Sequence, residues 1–331
     1  MPELDSLDQR LLTPLQVGFP LVERPFQALG LDLGLSEGQV IERLERLRQQ
    51  RVLRQVAPIF DSRALGYHSA LVAAQTPPKG ADAAAAVVSG HPGVSHNYRR
   101  EHDLDLWFTL AVPPQRDLGA EAAALAGRAG LLRHYVLPAT KTFRIGVAFD
   151  LESGRARAQG GPQRSAPKTA VSLDEDDKAA VRVTQEDLDL VPEPFAPRAR
   201  ALGWTQERLF EWLTQAQRRG FLRRFAAVLR HREAGFGEGG MGVWAVPEEG
   251  IERAGQAFAC DSAVTHCYQR PTFDGWPYAL FTMVHGADRD ACQRTLEGLA
   301  QRVGGWTRRA VLFSTHEYKK ERVKYFLEQP C

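Results

Sequence analysis

The sequence predicts an α+β fold built twice over: two tandem copies of a winged helix-turn-helix module, each followed by a ferredoxin-like β-α-β-β-α-β sandwich. Three observations predict it. The chain has 331 residues, more than one hydrophobic core usually organises, so two units of ordinary domain size are expected. An internal repeat is visible: Val22-Glu23-Arg24-Pro25-Phe26 lines up with Val191-Pro192-Glu193-Pro194-Phe195, and Leu53-Arg54-Gln55-Val56-Ala57 with Leu222-Arg223-Arg224-Phe225-Ala226. One residue further in offset, His96-Asn97-Tyr98-Arg99-Arg100 matches His266-Cys267-Tyr268-Gln269-Arg270. Within each copy the hydrophobic period changes from spacings of three and four to alternation.

Residues 4–16, 22–31 and 36–49 carry apolar side chains at helical spacing, with Ser36 as the cap of the third helix. The basic segment 51–60 reads as a wing. Alternation then predicts strands at 67–76, 94–99, 106–112 and 132–143, with helices at 81–89 and 118–127 between them. Residues 151–177, rich in Gly, Ser, Pro, Arg and Asp and without a hydrophobic period, read as a flexible linker. In the second copy Thr205 caps a helix over 207–219 that Gly220 ends. The sandwich repeats as 242–247, 249–259, 264–270, 278–285, 288–302 and 306–315. The expected domains are therefore 1–62 and 63–150 for the first copy, the linker at 151–177, and 178–233 and 234–331 for the second.

Composition narrows the function classes. The chain is 44% hydrophobic and 25% charged, with no apolar run long enough for a membrane span and no basic-then-apolar signal over residues 1–20, so a cytoplasmic protein without a membrane partner is expected. Its four cysteines, Cys260, Cys267, Cys292 and Cys331, contain no C-x-x-C pair, which argues for reduced thiols and against a protein-held metal. The net charge of +2 is small, but only seven of the 42 basic residues are Lys. Arg's flat charged fork matches carboxylates and phosphates, although a GC-rich genome produces the same bias.

A helix-turn-helix followed by such a sandwich is similar to the leucine-responsive (Lrp/AsnC) regulators. DNA binding is nevertheless not expected: Ser36-Glu37-Gly38-Gln39-Val40-Ile41-Glu42 brings two acids and no base to the first turns of the recognition helix, and the acids of Thr205-Gln206-Glu207-Arg208-Leu209-Phe210-Glu211 offset its single Arg.

The polar runs on the second strand of each sandwich carry the chemistry. Alternation puts His96, Tyr98 and Arg100 on one face, and His266, Tyr268 and Arg270 likewise. A titratable imidazole, cationic groups and flat apolar side chains, Trp107 and Trp276 among them, suit a large planar anion.

Gly18-Phe19-Pro20-Leu21-Val22-Glu23-Arg24-Pro25-Phe26, Ser95-His96-Asn97-Tyr98-Arg99 with Leu106-Trp107-Phe108-Thr109, Thr265-His266-Cys267-Tyr268-Gln269-Arg270-Pro271 with Gly275-Trp276-Pro277-Tyr278, and the ending from Glu317-Tyr318-Lys319-Lys320 to Tyr325-Phe326 resemble the siroheme decarboxylases. The resemblance covers nearly the whole chain apart from the linker, its first half being like the D-type subunit and its second like the L-type. The second copy departs from it at Val191-Pro192-Glu193-Pro194-Phe195, which lacks the Gly-Phe-Pro and Arg-Pro parts of the first. The resemblance implies conversion of siroheme to 12,18-didecarboxysiroheme with release of two CO2, in synthesis of haem d1 in denitrifying bacteria or of haem by an alternative route. No cofactor beyond the substrate's own iron is implied.

For that chemistry His96 and His266 are the leading proton-donor candidates, with His102 and His285 next. One of His96 and His266 could instead ligate the substrate iron. Arg99, Arg100 and Arg270, with Arg54 and Arg224 at the wings, are candidates for carboxylate binding, and Tyr98, Tyr268, Trp107 and Trp276 for the less charged walls. Which half holds the working pocket stays open. Two other readings also stay open: a tetrapyrrole-sensing regulator of the Lrp/AsnC type and a non-catalytic haem-binding protein. The repeat suggests a pseudo-dimer within one chain, with a homodimer of chains as a further option.

Overall fold

Helical periods and caps close three helices at the start of each copy. In the computed structural model, which describes residues 4–145, 148–150, 155–157, 170–229 and 238–327, the first copy runs α1 (Ser6–Leu15), α2 (Pro25–Leu33), α3 (Glu37–Gln49), β1 (Leu53–Phe60), β2 (His68–Gln75), α4 (Ala81–Gly90), β3 (Val94–Arg100), β4 (Leu106–Val112), α5 (Leu118–Arg128), β5 (Arg133–Pro138) and β6 (Lys141–Ile145). After the short pair β7 (Ala148–Asp150) and β8 (Arg155–Arg157), the second runs α6 (Glu175–Thr184), α7 (Ala196–Ala201), α8 (Gln206–Arg219), β9 (Leu222–Leu229), β10 (Glu238–Ala245), α9 (Ile251–Cys260), β11 (Val264–Gln269), β12 (Leu280–Gly286), α10 (Arg289–Val303) and β13 (Arg308–Lys320). Of the segment read as a linker, 151–154 and 158–169 lie outside the described residues. From residue 170 the chain is held: Val171 donates to Ala64 O at 2.8 Å, and α6 starts three residues before the expected boundary.

The first helix of each copy starts on the same device. Asp5 and Asp174 cap α1 and α6, and each forms a reciprocal capping box with the Asp at N3. Those N3 side chains, Asp8 and Asp177, are buried and tie down the third helix of their module. Asp8 accepts from Arg43 at 2.9 Å and Arg46 at 2.6 Å; Asp177 accepts from Trp212 at 2.9 Å and from Arg219 at 2.8 Å. Asp177→Asn removes the charge that these donors share, and is expected to lower unfolding stability by about 1–3 kcal/mol. A urea midpoint equal to that of the parent protein would count against this role.

The segments read as wings do not form hairpins. β1 instead pairs antiparallel with its own repeat counterpart β9, from Leu53↔Leu229 to Phe60↔Leu222, so each strand satisfies its backbone with the other copy. One apolar core, with Phe26, Phe195, Phe221 and Phe225 among its members, spans both helical modules.

The sandwiches interlock in the same way. Their strands form one antiparallel sheet in the order β5-β2-β4-β3-β13-β10-β12-β11-β6. The single strand expected over 132–143 is broken at Ala139 and Thr140, because its partner changes there from β2 to β11. β13 outruns its expected end at 315 for the corresponding reason: it pairs first with β10 and then, from Ser314, with β3. Since β5 and β6 are successive parts of one run and occupy opposite edges, the sheet closes on itself. Trp107, Leu137, Met241, Trp276, Phe281 and Leu312 fill the interior from both copies, while α4 and α5 cover one side and α9 and α10 the other. The chain is thus an internal pseudo-dimer, and no described helix is long and apolar enough to cross a membrane.

Candidate active site

Antiparallel pairing fixes which side chains share a face. On β3, His96 lies opposite Thr109 and Lys320, and Tyr98 opposite Trp107 and Glu317. Trp107 belongs to the interior cluster, so this face of β3 looks into the closed sheet. On β11, His266 lies opposite Met283 and Ile145, and Tyr268 opposite Phe281 and Thr142, again on the inner face. The two rings of each pair are 6.2 Å apart for His96 and Tyr98 and 6.0 Å for His266 and Tyr268. Each imidazole Nδ1 is bonded to the hydroxyl of the preceding residue, Ser95 Oγ at 3.0 Å and Thr265 Oγ1 at 3.1 Å.

The electrostatics are shared between the halves. Burial holds the His96 imidazole down to about 4, and the Lys320 and Arg54 cations and His266 push the same way. Burial does the same to His266, also to about 4, with Arg223 adding. Burial raises the Tyr98 phenol, which also donates to Glu317. Both histidines are therefore neutral near pH 7 in the substrate-free protein. In the unfolded chain each takes up its proton near 6.5, so their contribution to stability is full above that pH and is lost as pH falls from about 6.5 to about 4. Urea unfolding between pH 7 and 5 should show this loss, and a His96→Asn/His266→Asn variant should lack it.

The other residues singled out from the sequence fall into three groups. Arg54 joins the His96 side, its Nη2 donating to Lys320 O at 2.6 Å. Arg224 lies near Arg322, whose guanidinium it and Arg54 repel. His285 shares the inward face of β12 with Phe281 and Met283 and pairs with Gly239, where an added Cβ would lie 2.7 Å from Met283 Cε; glycine leaves room for both side chains.

Arg100 and Arg270 do not reach a rim. Arg100 donates to Leu312 O at 2.8 Å and lies 5.7 Å from the Tyr98 ring; Arg270 donates to Leu137 O and lies 5.0 Å from the Tyr268 ring. Burial lowers both guanidinium groups to about 10. Each binds a backbone carbonyl of the other copy and so closes the interior.

Arg99, expected at the substrate, points to the outer face, 3.9 Å from Asp105 and 45% exposed, because alternation turns it away from His96. Trp107 and Trp276 pack together in the interior with ring centroids 5.4 Å apart, Trp107 opposite Tyr98, and the exposed His102 lies 5.4 Å from Trp276.

The sequence reading missed Lys320, Glu317, Arg223 and Arg322, although Glu317 and Lys320 sat in the quoted tail. For Glu317 and Lys320 the signal was the continuation of strand-forming residues past 315. A cleft of about 610 Å3 between Tyr67, Pro114, Val171 and Phe326 carries basic residues, Arg116 and Arg182 among them, but no histidine. No cluster of metal-ligating side chains occurs among the described residues.

Known proteins agree with this architecture. An AsnC-like ligand binding domain matches residues 64–144 and 233–319, and a siroheme decarboxylase NirDL-like HTH domain matches 8–54 and 177–223. The chain is 40% identical to a siroheme decarboxylase of Hydrogenobacter thermophilus, over 97% of this chain and 95% of that one. It is 34% identical to a siroheme decarboxylase NirDL subunit of Paracoccus pantotrophus, over 88% and 89%. Crystal structures of the siroheme decarboxylase NirDL, alone and in complex with an iron-uroporphyrin III analogue, superpose with a TM-score of 0.73 at 35% identity over 98% of this chain and 95% of those.

Proposed function

The chain belongs to the siroheme decarboxylase family, and on that premise we propose that it removes CO2 from the C12 and C18 acetates of siroheme, giving 12,18-didecarboxysiroheme for haem d1 or alternative haem synthesis. The observation that carries the reading is the pair of inward-facing histidines, one from each copy, held neutral among cations in an interface that both copies build.

Each acetate loses CO2 by cleavage of its methylene–carboxylate bond, the electron pair passing into the macrocycle to which the methylene is attached. A proton then converts the methylene to a methyl group. The macrocycle is the electron sink, so no cofactor beyond the substrate's own iron is needed. An imidazole that is neutral in the empty site is suited either to ligate that iron or to take up a proton once a polycarboxylate has entered. The carboxylates offset the repulsion from Lys320, Arg54 and Arg223, which raises the histidine's proton affinity where an acid is required.

Anaerobic incubation with siroheme, followed by mass spectrometry of the tetrapyrrole, tests the reading. Loss of two CO2 is expected; tight binding with unchanged mass would favour a haem-binding protein. Action on DNA is not part of the proposal, since Glu37 at the start of α3 is paired with Arg24 and Arg208 of α8 lies over Trp204, 2.9 Å from Asp176. A cytoplasmic location belongs to the proposal and suits the free thiols of Cys260, Cys267 and Cys292.

A further inference from the structure

The two histidine–tyrosine pairs are related by the repeat, yet they sit in different fields. Beside His266 the wing cation Arg223 is held by Asp61 at 3.0 Å, and the strand neighbours supplied by β6 are Thr142 and Ile145. Beside His96 the corresponding positions are filled from β13 by Glu317 and Lys320. The chain then continues across the first copy: Glu321 donates from its backbone to Ser95 O at 2.7 Å, and Arg322 donates to Pro58 O of β1 at 2.6 Å. Tyr325 anchors the segment, its hydroxyl 2.6 Å from Ser62 Oγ.

This brings Arg54, Arg224, Lys320 and Arg322 to one side of the interface. Glu317 lies 3.9 Å from Lys320, and Asp187 attracts Arg322. Arg54 and Arg224 both repel Arg322. Gathering like charges in a partly buried interface favours an anion that compensates them, and the asymmetry assigns that anion to the first copy's site.

We propose that the C-terminal segment of the second copy, through Lys320 and Arg322, completes the first copy's site as a clamp for carboxylates that the substrate keeps. This rests on the siroheme reading above. An ion pair to a departing carboxylate would stabilise the ground state and slow its loss, so a clamp of this kind serves retained groups. The clamp fixes which edge of the macrocycle enters beside His96, and leaves the surroundings of His266, where Arg223 is paired with Asp61 and Arg63 donates to Ala139 O, to another edge. Lys320 and Arg322 are then carboxylate-binding residues contributed by one copy to the other's site.

Binding of iron-uroporphyrin III to the full chain, titrated by absorbance at low and high salt, tests this together with steady-state kinetics on siroheme. Lys320→Gln and Arg322→Gln should each weaken binding by roughly tenfold at low salt, flatten its salt dependence, and raise KM far more than they lower kcat. Lys320→Arg and Arg322→Lys should stay within about threefold of the parent. Unchanged affinity in a folded Lys320→Gln variant overturns the clamp while leaving the activity intact. A parent protein that binds the probe with this charge dependence but leaves siroheme's mass unchanged overturns the activity and not the clamp.

Discussion

His96→Ala and His266→Ala are each expected to lower kcat for siroheme by about 10²–10⁴-fold if the residue supplies the proton, with a binding loss for the iron-uroporphyrin III probe of no more than about tenfold. The expectation follows from placement: both imidazoles face inward from equivalent strand positions. The pH profiles separate donor from iron ligand. A donor acts in its protonated form, and in the free enzyme that form dominates only below about 4. The profile of kcat/KM, which reports the free enzyme, should therefore decline at lower pH than that of kcat, which reports the complex in which substrate carboxylates have raised the histidine. A variant retaining more than a tenth of the parent kcat is excluded as donor. Mass spectra then rank the sites: a variant that stalls after one CO2 has lost the group serving the second acetate.

Phe143→Ala is expected to cost about 3–5 kcal/mol of unfolding stability. Phe143 is 4% exposed and comes from β6 of the first copy, but it packs in the core of the second. Its ring lies against Gly255 of α9, where an added Cβ would collide with it. Removing the ring leaves a cavity at the point where one copy is inserted into the other, and loosens β6 beside β11, which carries His266. Siroheme affinity should fall with stability. The interlock also predicts that both sandwiches unfold in one transition, followed by fluorescence and circular dichroism in guanidinium; two separated transitions would show that the halves do not depend on each other. Gly255→Ala should destabilise from the opposite direction, by overpacking, by about 1–3 kcal/mol.

Much of this site was legible in the sequence. The repeat placed two His-x-Tyr-x-Arg runs on strands, and alternation alone put each trio on one face. Arg99, grouped with Arg100 and Arg270 as a carboxylate binder, is turned by that same alternation to the outer face beside Asp105. The residues that sequence reasoning misassigned are those whose role depends on a partner far along the chain: Arg100 meets Leu312, and Arg270 meets Leu137. No local pattern distinguishes an arginine that waits for a carboxylate from one that binds a distant carbonyl.

The sequence by itself determined the two copies, most of their helices and strands, and the sharing of one strand face by each trio, because periodicity and capping depend on residues within a few positions of each other. Only the tertiary structure decided that the wings pair with each other, that β6 and β13 cross between copies, and that Lys320 and Glu317 stand beside His96 and Tyr98. Those contacts join segments more than 120 residues apart, and the depressed proton affinity of both histidines follows from the burial and cations that they create. Desolvation and charge act through space, so the chemical state of these groups exists only once the sheet has closed.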